Sequence, residues 1–180
     1  MEMTGEQIIP AAQAEVWRGL NDPEVLKACI TGCESIEKLT GTEYAIVTTA
    51  AIGPVKAKFR GKLLLADLDP PNSYSLSFDG QGGAAGFGKG SAKVSLAAAG
   101  AGTRLSYAVK AQVGGKLAQI GSRLIDGVAK KMADDFFAAF NRKMAGPASE
   151  AVPAETAPGA APLWWVVAII AAMFLLAYYT

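Results

Sequence analysis

Histidine is missing from all 180 residues of the chain. That removes the commonest general base near neutral pH and the commonest protein metal ligand. Catalysis by a serine or cysteine paired with imidazole is therefore excluded within this chain. Cysteine is scarce, occurring only as Cys29 and Cys33. Two thiols without imidazole fall short of a four-ligand zinc site unless carboxylates assist. Two reduced thiols in a cytoplasmic protein are the expected state, with a disulfide as the alternative. Charge of one sign is also lacking. The net charge is +1, whereas a dedicated nucleic-acid binder is strongly basic. Met1 to Pro10 carries two glutamates and no apolar run, so no secretory signal is expected and the body should stay in the cytoplasm.

Long apolar runs are confined to one place. Leu163 to Thr180 reads LWWVVAIIAAMFLLAYYT, with no charge, glycine or proline. A hydrocarbon core takes roughly 20 apolar residues, with a lower limit near 17. Trp164 and Trp165 at one end, and Tyr178 and Tyr179 at the other, match the two aromatic belts of a membrane span. The run is apolar on every face, which argues against an interfacial helix. A single-pass tail anchor over 163–180 is expected. Arg142 and Lys143 upstream favour a body on the cytoplasmic side of the membrane. Residues 146–162, GPASEAVPAETAPGAAP, cannot build a core and are expected to form a semi-extended linker.

Residues 1–145 then make one domain of ordinary size. Glu2 to Ile9 is expected as a first strand. Pro10 opens a helix running to Leu20, and Asp22-Pro23 caps a second short one. Six strands follow at Cys33–Leu39, Glu43–Ala51, Val55–Leu68, Ser73–Phe78, Ser91–Leu96 and Thr103–Val113, separated by Gly, Pro and Asn turns. Lys116 to Met144 closes the domain as one long helix. Its expected core stripe is Leu117, Ile120, Leu124, Val128, Met132, Phe136 and Phe140, with Asp126 and Lys130 paired one turn apart. Seven antiparallel strands and one long helix predict an α+β helix-grip fold, in which the sheet grips the C-terminal helix over an apolar cavity.

Period-two alternation assigns the faces. Val55, Ala57, Phe59, Leu63 and Leu65 share one side of their strand; Lys56, Lys58, Arg60 and Lys62 share the other. Tyr74, Leu76 and Phe78 alternate with serines, and Leu105, Tyr107 and Val109 alternate with polar residues. The candidate cavity residues are Phe59, Leu63, Tyr74, Phe78, Leu105 and Tyr107 on the sheet and Leu124, Val128 and Met132 on the helix. Each serves equally well as plain core. The four cations in register are either a solvated face or a docking surface for an acidic partner or anionic lipid. Gly83 to Lys89 fits seven positions of a phosphate-binding loop, but the eighth is Gly90 rather than Ser or Thr, and alternating residues follow instead of a helix. The glycines are expected to make a flexible loop at the cavity mouth, with Phe87 as its lid.

Several runs together resemble one family. MEMTGEQIIPA, LNDPEVLKACITGCESIEKL, GPVKAKFRGK, DLDPPNSY, GGAAGFGKGSAKV and AQVGGKLAQIGSRLIDGVAKKMADDFF are similar to the CoxG subunit of carbon monoxide dehydrogenase, over residues 1 to 144. Thr31 stands where that family's loop carries proline. The resemblance implies a START-like (SRPBCC) fold that holds hydrophobic ligands. It also implies recruitment of a cytoplasmic molybdenum carbon monoxide dehydrogenase, or a related hydroxylase, to the membrane. A bound quinone (menaquinone or ubiquinone) linked to the respiratory chain is implied as well, with no covalent cofactor and no metal.

Three functions compete. The first is that non-catalytic recruiter with a quinone-binding cavity. The second is a general carrier of lipids or other hydrophobic ligands with no dehydrogenase partner. The third is a START-like cyclase, which would need a positioned acid or base. Tyr74 and Tyr107 are the only titratable residues expected to face the cavity, and burial would keep them neutral.

Overall fold

Residues 1–146 are described by the computed structural model. The expected span over 163–180, and the expected linker after Gly146, lie outside the described residues. Among the described residues no helix is long and apolar enough to cross a membrane.

The chain runs β1 (Glu2–Ile9), α1 (Gln13–Leu20), α2 (Pro23–Cys29), β2 (Cys33–Lys38), β3 (Glu43–Ile52), β4 (Val55–Asp69), β5 (Ser73–Gln81), β6 (Phe87–Ala99), β7 (Gly102–Gly114), α3 (Lys116–Gln119) and α4 (Ser122–Ala145). All seven strands join one sheet in the order β1-β7-β6-β5-β4-β3-β2. Every neighbouring pair is antiparallel. A seven-stranded antiparallel sheet with a C-terminal helix is an α+β arrangement consistent with a helix-grip fold.

Local chemistry explains the connections. The Asp22 carboxylate accepts from the Glu24 amide at 2.9 Å and caps α2, and Pro23 fills its first position, as expected. α1 starts later than expected, at Gln13, because Pro10 to Ala12 is used to leave the sheet. There the fully buried Thr103 hydroxyl donates to the Ala11 carbonyl at 2.8 Å, which satisfies a backbone acceptor where the ladder ends.

The glycine-rich stretch departs from expectation. β5 continues to Gln81 and β6 already begins at Phe87, so only 82–86 is a turn, closed by the Gly82 amide on the Gly86 carbonyl at 2.7 Å. Gly90 sits in β6 because a Cβ there would strike the Lys110 carbonyl and the Phe78 ring, the latter at 2.8 Å. Phe87 is a strand residue, not a lid. Its ring lies across Gly114, its partner on β7, where only a glycine leaves room.

The C-terminal helix also differs. Gly121 has φ of +97°, a conformation favouring glycine, and it separates the four-residue α3 from α4. Within α4 the expected stripe advances in four-residue steps of about 400°, so it drifts roughly 40° per step and leaves the buried face towards Leu124 while Phe140 stays on it. Ile125, Phe137 and Phe140 are the buried residues of α4, whereas Leu124 and Met132 are exposed. Lys130 pairs forward with Asp134 at 2.7 Å rather than back with Asp126.

The core is lopsided. Ile9, Val16, Leu20, Cys29, Tyr74, Val94, Leu96, Leu105, Phe137 and Phe140 form one cluster, with Trp17 and Phe136 packed against it. It joins α1, α2 and the C-terminal half of α4 to the sheet. The N-terminal half of α4 contributes only Ile125 as a buried residue. Phe140→Ala should therefore cost about 3–5 kcal/mol of stability. Leu124→Ala should stay within about 1 kcal/mol of wild type. Urea unfolding of the two variants checks this, and equal losses would restore the stripe expected from periodicity.

Candidate functional site

Between sheet and helices lies an apolar cavity of about 310 Å³. Leu63 and Leu65 of β4, Tyr74 and Leu76 of β5, Ala92 and Val94 of β6, and Leu105, Tyr107 and Val109 of β7 form its sheet wall. The register explains why they converge. Leu65 pairs with Leu76, Leu76 with Ala92 and Ala92 with Val109, so one face carries them all. Met3 and Tyr44 extend that wall, and Ala133, Phe136 and Phe137 of α4 face it. Leu20 of α1, Leu26 of α2 and Ile30 just after it close one side.

Four of the expected cavity residues come together here: Leu63, Tyr74, Leu105 and Tyr107. Phe59 and Phe78 are on the same face by register but lie beyond the cavity, Phe59 across Gly82 and Phe78 across Gly90. Phe87 falls on the opposite face, because it pairs with Gln81 while Gly88 and Gly90 take the inward positions. Leu124, Val128 and Met132 are absent from the lining because a stripe of four-residue steps drifts off the inner face of α4. The α2 wall was missed. Its signal was the four-residue spacing of Leu26 and Ile30, on a helix too short to attract attention.

No charged side chain lines the cavity. Its polar atoms belong to three tyrosines. The Tyr44 hydroxyl donates to the Asn21 carbonyl at 3.0 Å, locking β3 to the end of α1. Tyr107 stacks on Phe137 with centroids 5.3 Å apart, and its hydroxyl end lies against Gly5. Tyr74 meets the edge of Trp17 at 5.5 Å and is only 6% exposed. Burial, and secondarily the neighbouring Tyr44, holds its phenol well above the ordinary value, so it stays protonated. Among the described residues no group of three acidic, Cys or His side chains is placed to hold a metal ion.

The basic row of β4 faces outward, away from the cavity. It is not a bare cationic strip. Lys58 meets Glu34 at 2.7 Å and Lys62 meets Glu43 at 2.8 Å. Hydrogen bonds from Lys58 and then Thr49 hold the Glu34 carboxyl below its usual range. Among the described residues Lys56 and Arg60 form no close ion pair, although Arg60 still acts on the Glu34 carboxylate from further off.

The family of the carbon monoxide dehydrogenase CoxG subunit matches residues 5–145 of the chain. Among solved structures, a conserved protein from Geobacillus kaustophilus is 34% identical, with a TM-score of 0.76 over 81% of this chain and 95% of that one. Protein TTHA0849 from Thermus thermophilus is 18% identical, with a TM-score of 0.61 over 83% of this chain and 100% of that one. Protein CV1439 from Chromobacterium violaceum is 14% identical, with a TM-score of 0.61 over 81% of this chain and 98% of that one. The latter two likenesses concern the fold alone. No curated protein matches the chain.

Both cysteines are free thiols, Cys29 buried and Cys33 half-buried. Burial pushes both thiols up, which lowers the reactive thiolate fraction. Iodoacetamide should modify Cys33 before Cys29 in the native protein, and both more slowly than free cysteine. In urea the two rates should converge. Peptide mass mapping against time reads this out, and faster labelling of Cys29 would contradict its placement.

Proposed function

The chain belongs to the CoxG family of carbon monoxide dehydrogenase subunits, and from that premise we propose a non-catalytic, membrane-anchored recruiter. In this reading it brings a cytoplasmic molybdenum carbon monoxide dehydrogenase, or a related hydroxylase, to the membrane. It holds a menaquinone or ubiquinone in its cavity and so links that enzyme to the respiratory chain.

The observation that carries the proposal is the cavity itself, about 310 Å³ and lined by apolar and aromatic side chains alone. Apolar surface removed from water contributes roughly 25 cal/mol per Å², which favours a ring with an isoprenoid chain. A cyclase reading finds less support, since the lining offers no carboxylate or amine as acid or base. Leu163 to Thr180 supplies the membrane anchor in this proposal, and Lys56 and Arg60 are the best candidates for an acidic partner or anionic lipid. A carrier without a dehydrogenase partner would use the same cavity, so the partner has to be tested separately.

Full-length protein purified from its native membranes should yield a long-chain quinone on lipid extraction and mass spectrometry. Ala133→Trp, which fills the cavity from α4, should lose it, with overpacking costing about 1–3 kcal/mol of stability. If the wild type yields no quinone yet still binds the dehydrogenase, the cavity is only core and the protein only an anchor.

Lys56→Glu with Arg60→Glu should weaken co-sedimentation of the dehydrogenase with membranes. The same reversal at Lys58 and Lys62 should do less, because each already faces a glutamate. The difference should shrink as salt rises. Equal effects at all four positions would reduce the row to a solvated face.

A further inference from the structure

On the sheet face turned away from the helices, Lys62, Ser77, Lys89, Ser91, Lys93 and Lys110 are all exposed. The charges of this face are unevenly arranged. Ion pairs stand on both flanks. Lys58 meets Glu34 and Lys62 meets Glu43 across β2 to β4, while Arg104 meets Glu6 at 3.3 Å and Lys110 meets Glu2 at 3.1 Å across β7 and β1. Lys89 and Lys93, on β6 between those flanks, form no ion pair among the described residues. Asp79 stands opposite Lys89 in the register. Its carboxylate accepts from the Gln81 amide at 2.8 Å, however, and the Lys89 ammonium lies over the Phe87 ring, 5.9 Å from its centre. Lys93 stands between Ser75 and Ala108, neither of which carries charge.

The middle of this face is also low. β5 turns Ser73, Ser75 and Ser77 outward, and β6 turns out Ser91 and Ser95, where strands favour threonine and larger β-branched or aromatic residues. Ser77 pairs directly with Ser91, between Leu64 on one side and Lys110 on the other. The short side chains leave an open trough of about 790 Å³, walled by the Lys62–Glu43 and Lys110–Glu2 pairs and reaching Lys89.

We propose that this trough seats the dehydrogenase, which inserts an acidic ridge whose carboxylates meet Lys89 and Lys93. This rests on the recruiter reading and adds where the partner sits and what it presents. The two lysines are four residues apart on one strand, roughly 13 Å, so each takes its own carboxylate. Arg60, on the same face and paired with Gln81, continues the positive charge towards Lys56. Opposite charges across such a surface steer the encounter and fix the register of docking. A bilayer is a poorer match. Its broad surface does not enter a trough between raised ion pairs. The Ser77 and Ser91 floor also offers hydroxyls, where a surface that enters lipid presents apolar side chains.

Full-length protein in neutral detergent micelles, titrated with purified carbon monoxide dehydrogenase from the same organism, provides the test. At low salt Lys89→Glu with Lys93→Glu should weaken binding at least about tenfold, and the gap should narrow as salt rises. Lys116→Glu with Arg123→Glu makes the same change of charge on the helix side and should weaken binding less than about twofold. Ser77→Tyr with Ser91→Tyr fills the trough without changing charge, and directly opposed aromatic residues favour the sheet. That variant should also bind at least about tenfold more weakly, with no fall in its unfolding temperature. Phosphatidylglycerol retained on the protein in native mass spectra should be the same for wild type and the Lys89–Lys93 variant. Binding unchanged by either pair of trough substitutions, or an equal loss from Lys116→Glu with Arg123→Glu, would overturn the docking site and leave the recruiter reading standing. In that case, loss of phosphatidylglycerol from the Lys89–Lys93 variant would give the face to the membrane. Failure of the wild type to bind the dehydrogenase would overturn both.

Discussion

A seven-stranded sheet is wider than the helix that covers it. Strands at about 4.8 Å spacing span roughly 30 Å, and a helix with its side chains is about 10–12 Å across. One long helix therefore cannot fill the apolar face of such a sheet. The chain spends α1 and α2 on the same problem, and α2 lends Leu26 to the wall while Ile30 follows it. Even so, the side chains facing across the gap include small ones, Ala92 and Ala133, and a space of about 310 Å³ remains. The cavity descends from that mismatch.

What the space can do follows from what faces it. Leucines, valines and aromatic rings reward an apolar guest, and the absence of charged groups penalises an ionised one. A reaction needs a group whose protonation or nucleophilicity is tuned near neutral pH. Burial moves Tyr74 the other way, deeper into its neutral form. The lining as described carries no carboxylate or amine to take that part.

The antiparallel meander from β2 to β7 and most of the inward and outward assignments were legible in the sequence, because period-two alternation survives folding unchanged, whereas the pairing of β1 with β7 was not. Leu63 inward and Lys62 outward follow from it directly. The helix was less legible. Its apolar residues recur every four positions from Leu124 to Phe140, a step that overshoots the 3.6-residue turn, so the stripe drifts round the helix and only its C-terminal end is buried. The glycine-rich stretch misleads for another reason. Gly90 and Gly114 are strand residues because Phe78 and Phe87 need the room, and those contacts cross between strands. The pairing of Lys58 with Glu34 was hidden likewise, since it spans β3 to reach from β4 to β2.

The same unevenness separates stability from binding along α4. Phe137 and Phe140 lie in the cluster that joins every layer of the fold, so substitutions there act on folding first. Towards the N-terminal half, exposure rises and packing thins, with Leu124 and Met132 partly in solvent. Leu124 meets the β3–β4 turn, where a Cβ on Gly53 would approach it to 2.8 Å. That contact joins the loosely packed half of α4 to a hairpin tip, and few buried apolar atoms support it. Segments held by few buried contacts open at lower free energy than the global fold. On the proposed reading of the cavity as a ligand site, the guest would enter by loosening the half of the structure that contributes least to holding it together.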